Sequence, residues 1–381
     1  MTIRVGIPVS LTGQFSLQGR QTLLGLRAWA RDVNRAGGMC VGGRKSPVEV
    51  VWRDDGSRRD EVRAITGQLI ARDGVDLLVG PYSAALTNAA AEVAEVHGKL
   101  LWNQGGASPW VYERGNPWVV GTLAPADEYL TGLLPAVREV CPDASTVGIA
   151  TAATGAFPRD VAAGVERTAA ALGFRVALSL RFDAAADDFG HILDAVRRSP
   201  PDVMVVAGRF QNDLALAELL ADGFSTSGAV AIVAAGVDAF RERLGSRAEN
   251  FIGPSQWEPD AMYDVDYGPT AADVLASLGR FMTSEGLAWN GVIDYPMAQA
   301  YAVGVVMQRC VEECRSLDDG EMRRSAACLD FTTFYGRFHV DAETGRPTGK
   351  PVLLVQWRRG SKVIVGPPEY RSERLAYPWR R

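Results

Sequence analysis

The chain is poor in the groups that most site chemistry needs. Of its 381 residues only three are histidine, His97, His191 and His339. They are scattered, and none stands at ligand spacing from another histidine or a cysteine, so no metal centre is expected and no general base is evident. No apolar run approaches the ~20 residues that a membrane-spanning helix requires. The formal charge of −5 is spread along the chain without a basic stripe, which speaks against nucleic acid and against an anionic membrane surface as partners. The five cysteines cannot all pair. Cys310 and Cys314 lie one helical turn apart with Cys328 near them in sequence, while Cys40 and Cys141 are isolated; buried or idle thiols are expected rather than a disulfide. A secretory leader is also missing, because Met1-Thr2-Ile3 runs straight into a strand. The chain is therefore expected to be cytosolic, or else numbered after a leader was removed.

What the chain does have is length, and apolar residues in a regular order. At 381 residues and 47% hydrophobic content it is expected to fill two cores. Strands are expected over 4–10, 48–52, 76–80 and 99–103. Helices are expected to start near Arg20 and to cover 61–72 and 84–96. Ser83 falls where a strand hands over to a helix, after the Gly80-Pro81 break. In Gly105-Gly106-Ala107-Ser108-Pro109, Ser108 is expected at the N-cap and Pro109 at the first position of another helix. In this βαβ series, right-handed crossovers bring every strand's carboxyl end to one edge. Two helix starts with free N–H groups would then lie side by side there, suited to anions and polar ligand groups.

A second series follows, with strands at 146–152, 176–182, 202–207 and 229–234 and helices at 161–172, 189–198 and 212–220. The two halves share a plan, which predicts an α/β protein of two doubly wound lobes. Beyond Pro254 the pattern is less regular. Helices are expected at 271–284, 297–313 and 321–330, then a hairpin pairing 335–341 with 352–357, a last strand after Arg359-Gly360-Ser361, and a polar tail from Tyr370.

The order of Pro8-Val9-Ser10-Leu11-Thr12-Gly13, Asp54-Asp55, Val79-Gly80-Pro81-Tyr82-Ser83 and Gly105-Gly106-Ala107-Ser108-Pro109 resembles the type I periplasmic binding proteins of branched-chain and hydrophobic amino acid ABC transporters. That family also includes cytosolic amide-sensing regulators. The likeness continues through Ala235-Gly236-Val237, the Trp257 loop, Phe334-Tyr335-Gly336-Arg337-Phe338 and Leu354-Val355-Gln356-Trp357. It implies two lobes joined by a three-crossover hinge, with lobe one holding 1–121 and 254–333 and lobe two holding 122–253 and 334–381. The crossings would fall near 121–125, 253–257 and 333–336. It further implies an extracytoplasmic receptor that closes on a small carboxylate, amide or amino-acid ligand and signals to an ABC transporter permease, with no cofactor.

The resemblance places ligand contacts at Tyr82, at Ser83 or Ala84, and at the backbone of Gly106, Ala107 and Ser108. Aromatic covers would come from Phe157 and from Arg209-Phe210, and Gln18 stands where an aromatic is often found. Gly236 marks the place where an acid would meet an amino acid's ammonium; Asp238 is the nearest candidate. Each residue also has a plainer role. Ser83 and Ser108 can be helix caps alone, and Gly106 can serve only a turn. Trp110, Phe157, Phe210 and Trp257 can each be a ligand platform or core, and Arg209 can belong to a salt bridge or, facing the cleft, favour a carboxylate. Asp54 and Asp55 point to opposite faces of a strand end, which suits loop capping better than paired-acid catalysis. A serine hydrolase is the remaining alternative, yet Pro81 and Ala85 replace the glycines that would flank a nucleophile at Ser83.

Overall fold

The computed structural model describes residues 2–186, 188–223, 228–289 and 291–379. The chain divides into two compact units, Met1–Pro125 with Met262–Lys350, and Ala126–Ala261 with Pro351–Arg381, and it passes from one to the other three times. In chain order the first unit opens with β1 (Ile3–Val9), α1 (Ser16–Arg35), the small hairpin β2 (Met39–Val41) and β3 (Arg44–Ser46), and β4 (Val48–Asp54). It continues through α2 (Arg59–Ala71), β5 (Leu77–Val79), α3 (Ala84–Val96), β6 (Leu101–Asn103), the single turn α4 (Trp110–Glu113) and β7 (Val119–Gly121). The second unit adds α5 (Leu133–Val140), β8 (Thr146–Ala152), α6 (Ala156–Leu172), β9 (Arg175–Phe182), α7 (Gly190–Arg198) and β10 (Val203–Ala207). Then come α8 (Phe210–Gly223), β11 (Ala229–Ile232), a 3-10 turn (Val233–Gly236), α9 (Asp238–Leu244) and β12 (Ile252–Ser255). The chain returns to the first unit for α10 (Ala271–Ser284), α11 (Tyr295–Cys314), α12 (Asp319–Cys328), β13 (Phe331–Thr333) and β14 (Gly336–Phe338), and ends in the second with β15 (Leu353–Arg358) and β16 (Ser361–Gly366).

The first unit's sheet is parallel, in the order β4-β1-β5-β6-β7. The second repeats that doubly wound order as β9-β8-β10-β11-β12 and extends it with antiparallel β15 and β16. In both sheets the central strands are buried on both faces, which is why they are continuous apolar runs rather than alternating ones. Small residues let the helices close on each other in the first unit. A methyl at Gly25 of α1 would sit 2.1 Å from the Met297 carbonyl oxygen, and one at Gly304 of α11 would sit 2.2 Å from the Trp29 ring. Apolar clusters fill each unit, one built around Leu69, Leu86 and Leu101 and the other around Phe182, Leu216, Phe251 and Trp357.

Several expectations are corrected. Helix α1 starts at Ser16, so Gln18 lies in its first turn and not in a loop. Ser108 is no N-cap: the helix after it is one turn long, starts at Trp110 and has Pro109 at its N-cap, and the Val111 N–H donates to the Ser108 backbone carbonyl at 3.1 Å. The expected hairpin of 335–341 with 352–357 does not form. Instead β14 pairs antiparallel with β13, and β15 lies between β12 and β16. Backbone pairing therefore keeps 334–350 in the first unit and 254–261 in the second, so the later crossings follow Ala261 and Lys350. The tail is not a loose polar segment. Leu375 and Trp379 are buried, the Trp379 indole packs on Phe251 at 5.2 Å, and the Gln356 side chain clasps both backbone groups of Ala376 at 2.8 and 3.1 Å.

Among the described residues all five cysteines are free thiols. Among the described residues no helix is long and apolar enough to cross a membrane. Because Trp379 fills the second unit's core, Trp379→Ala should lower unfolding stability by about 3–5 kcal/mol in urea titrations. A loss under 1 kcal/mol would return the tail to the status of an appendage.

Candidate functional site

The carboxyl edge of the first unit's sheet carries the densest constellation of sequence-predicted residues. Strand β5 ends at Val79, and Ser83, the N-cap of α3, holds a strained left-handed conformation, φ +86°, which non-glycine residues rarely adopt. Its hydroxyl accepts the Leu86 N–H at 3.4 Å and its own N–H donates to the Gly105 carbonyl at 3.0 Å, so the two loops are joined backbone to backbone. Glycine is required at this junction. A methyl at Gly105 would lie 2.6 Å from the Pro81 oxygen and the Tyr82 Cα, and one at Gly106 would lie 2.6 Å from the Thr87 hydroxyl. Asn103 at the end of β6 holds the second loop from within. Its carbonyl oxygen accepts the Gly105 and Gly106 N–H groups at 3.2 and 2.8 Å, and its amide donates to the Gly106 carbonyl at 2.9 Å and to the Tyr112 hydroxyl at 2.8 Å. Both backbone groups of Gly106 are thus engaged inside the unit.

The backbone donors left unengaged at this edge only partly coincide with the positions named above. Among the described residues the Ala84, Ala85 and Ala107 amides have no hydrogen-bond acceptor. The first two sit in the opening turn of α3, where the helix has no acceptor to offer and its dipole favours negative charge. The Ser83 hydroxyl proton can serve the same place. Ser108 is fully buried.

Aromatic and polar side chains flank these donors. The Tyr82 hydroxyl lies 3.3 Å from that of Tyr295, and the Phe15 ring centroid lies 6.1 Å from that of Tyr82. The Gln21 amide donates to Asp294 at 3.0 Å. Burial pushes the Tyr82 phenol above its ordinary range despite the bond to Tyr295, so it stays protonated. Phe15, Gln21, Asp294 and Tyr295 were not expected here. The available signal was Asp294-Tyr295-Pro296, an N-cap residue with proline at the second helical position, which marks a helix start at this edge. The Asp54-Asp55 pair caps loops. Asp54 accepts from the Leu11, Thr12 and Gly56 N–H groups and from the Thr12 hydroxyl, at 2.8–3.3 Å. Burial raises its pKa, but these bonds outweigh burial and hold it below the usual range. Asp55 accepts from the Ser10 hydroxyl at 2.6 Å and the Ser57 N–H at 2.8 Å, and burial pushes it up.

In the second unit Phe157, Arg209, Phe210 and Gly236 follow β8, β10 and β11, neighbouring strands, so they share that sheet's carboxyl edge. Phe157, in the first turn of α6, packs edge-on against Tyr129 at 5.3 Å. Arg209 is exposed, and among the described residues its guanidinium makes no ion pair; the half-buried Phe210 opens α8. Gly236 serves packing, since a methyl there would lie 1.9 Å from the Pro254 oxygen. Its carbonyl accepts from Lys362 Nζ at 3.3 Å, and that ammonium also meets Asp238 at 3.4 Å and Glu258 at 3.1 Å. The nearest candidate acid is therefore already paired with a lysine of its own unit. Trp257 is 1% exposed, among the largest fully buried side chains. Among the described residues no cluster of three or more His, Cys, Asp or Glu side chains is disposed to hold a metal ion.

A family model described as periplasmic binding protein matches residues 2–362, and the chain belongs to that family. A relative in Brucella abortus (strain 2308), named Leu/Ile/Val-binding protein homolog 8, is 24% identical, with 96% of this chain and 90% of the relative covered. The structure is similar to the branched-chain amino acid transporter substrate-binding protein LivJ of Streptococcus pneumoniae in complex with isoleucine, at a TM-score of 0.79 and 18% identity, covering 95% of this chain and 98% of that one. It is also similar to an ABC transporter solute-binding protein of R. palustris in complex with 4-hydroxybenzoate, at a TM-score of 0.76 and 21% identity, covering 96% of this chain and 95% of that one. The fold is that of the type I periplasmic binding proteins.

One buried acid holds the second unit's edge together. Asp213 in α8 accepts the Ala234 N–H at 3.1 Å, and burial pushes its carboxyl up to about 8 against the hydrogen bonds it accepts from Ala234 and Gly208. The folded state therefore keeps a proton that the unfolded chain releases near pH 4, so stability should fall as pH rises from about 4 to about 8, by up to ~1.4 kcal/mol per pH unit, and level off above. Asp213→Asn should flatten that slope in unfolding titrations across this range. An unchanged slope would assign it to other groups.

Proposed function

We propose that this protein is the extracytoplasmic solute receptor of an ABC importer. It captures a small carboxylate or amide, aromatic ones included, by closing its two lobes about the three crossing segments, and closure reports occupancy to the membrane permease. The observation that carries the reading is the set of unengaged donors at the first unit's edge, the Ala84, Ala85 and Ala107 amides with the Ser83 hydroxyl, in a chain of this family. Such a set suits an anionic or carbonyl oxygen. Two features favour a ligand without an ammonium group over a zwitterionic amino acid. The Asp238 carboxylate is engaged by Lys362, and the Arg209 guanidinium has no ion pair among the described residues. The rings of Tyr82, Phe15 and Tyr295 offer an apolar wall for an aromatic ligand.

Thermal unfolding with a panel of aromatic acids, short amides, urea and amino acids tests the reading. An occupied site stabilises by about 2.7 kcal/mol at a hundredfold excess over Kd. The largest shift is expected from benzoate-like acids or an amide; leucine or valine leading the panel would overturn the ligand preference. Ser83→Ala should weaken the preferred ligand about tenfold by calorimetry, the ~1.4 kcal/mol of one charge-assisted hydrogen bond.

A further inference from the structure

The first unit contains a buried polar chain that its packing alone does not require. Lys350 is the last residue of that unit before the chain crosses to the second at Pro351. Its side chain is buried; Nζ donates to the Tyr335 carbonyl at 2.6 Å and lies 4.0 Å above the centre of the Tyr335 ring and 6.0 Å from that of Tyr263. The same Tyr335 donates its hydroxyl to Gln299 Oε1 at 2.7 Å. Gln299 Nε2 donates to Gln104 Oε1 at 3.3 Å and to the Gln104 carbonyl, and Gln104 Nε2 donates to the Gly80 carbonyl at 3.0 Å. Gly80 directly follows β5, three residues before Ser83. Gln104, Gln299, Tyr335 and Lys350 are all at most 7% exposed. No bulk water can replace a lost partner, so each member's position constrains the next.

We propose that this chain, from Lys350 through Tyr335, Gln299 and Gln104 to Gly80, makes the ligand-facing turn of the first unit respond to the protonation of the crossing segment. Tyr335, Gln299 and Gln104 are then positioning residues for ligand capture; that part rests on the function proposed above. Burial pushes the Lys350 amine down to about 7, so its charge changes near neutrality. The Tyr263 and Tyr335 rings face it, and Arg337, ion-paired to Asp330 at 2.6 Å, lies against the neighbouring Gly349. The ammonium makes a charge-assisted bond to the Tyr335 carbonyl and is attracted to its ring face; the neutral amine loses both effects and releases the ring whose hydroxyl holds Gln299.

Nitrogen NMR of the full chain between about pH 5.5 and 8.5 decides the matter without any ligand. Lys350 should titrate in that range, and the Gly80, Tyr82 and Ser83 amides should shift with the same midpoint. Tyr335→Phe should leave the lysine titration in place and abolish the amide response, and Lys350→Met should abolish the response by removing its source. Amides that stay still in the wild type, or that follow pH equally in either variant, would overturn the proposal. With benzoate as probe, Kd should change about fivefold over the same range in the wild type and remain level in Tyr335→Phe. Failure of benzoate to bind at any pH would count against the ligand reading alone, since the amide arm decides the relay independently.

Discussion

The carboxyl edge of the first unit's sheet depends on one buried amide. Asn103 occupies both backbone groups of Gly106, the Gly105 N–H and the Tyr112 hydroxyl at once. An amide side chain offers two donors and two acceptor sites, and this one engages both kinds on groups that water does not reach. The loop after β6 is thereby fixed, and Gly105 can approach Tyr82 closely enough to accept the Ser83 N–H. That bond in turn sets the left-handed start of α3. The Ala84 and Ala85 amides then stand unengaged because they lie in the opening turn of α3, which has no acceptor for them.

The same logic distinguishes the two units. In the first, the polarity of the sheet's carboxyl edge comes from backbone N–H groups, whose partial charges need no counter-ion and titrate at no pH. In the second, the corresponding sheet edge is built with ionisable side chains: Asp213 under the 3-10 turn, Lys362 bridging Asp238 and Glu258, and exposed Arg209. Burial raises Glu258 while Lys362 lowers it, so that cluster balances desolvation against pairing. Such clusters give a unit a definite geometry at some cost in stability.

Much of this was legible in residue order. The apolar runs ending at Gly80, Ala152 and Ala207 identify buried parallel strands, because only a strand covered on both faces drops polar alternation. Glycine at 105 and 106 and the strand-to-helix break at Gly80-Pro81 locate the loops, and the second series copies the first closely enough to predict a second doubly wound sheet. The tail departs from the expectation because two isolated apolar anchors, Leu375 and Trp379, in a polar segment have no periodicity; Trp379 is core only because Phe251 and the Gly228 carbonyl await it. The partner of β14 was misjudged because short strands of similar composition can pair either way, and the choice depends on which edge stands free.

By itself the sequence determined the strand–helix alternation, the doubly wound plan and the loops at the first sheet's carboxyl edge, because periodicity and backbone chemistry are local properties. Tertiary structure alone decided which N–H groups remain unengaged, that Lys362 takes up Asp238, and that Tyr295 and Phe15 join Tyr82. Those outcomes turn on contacts between residues as many as 213 positions apart, and no local pattern encodes which of several competent partners a polar group will meet.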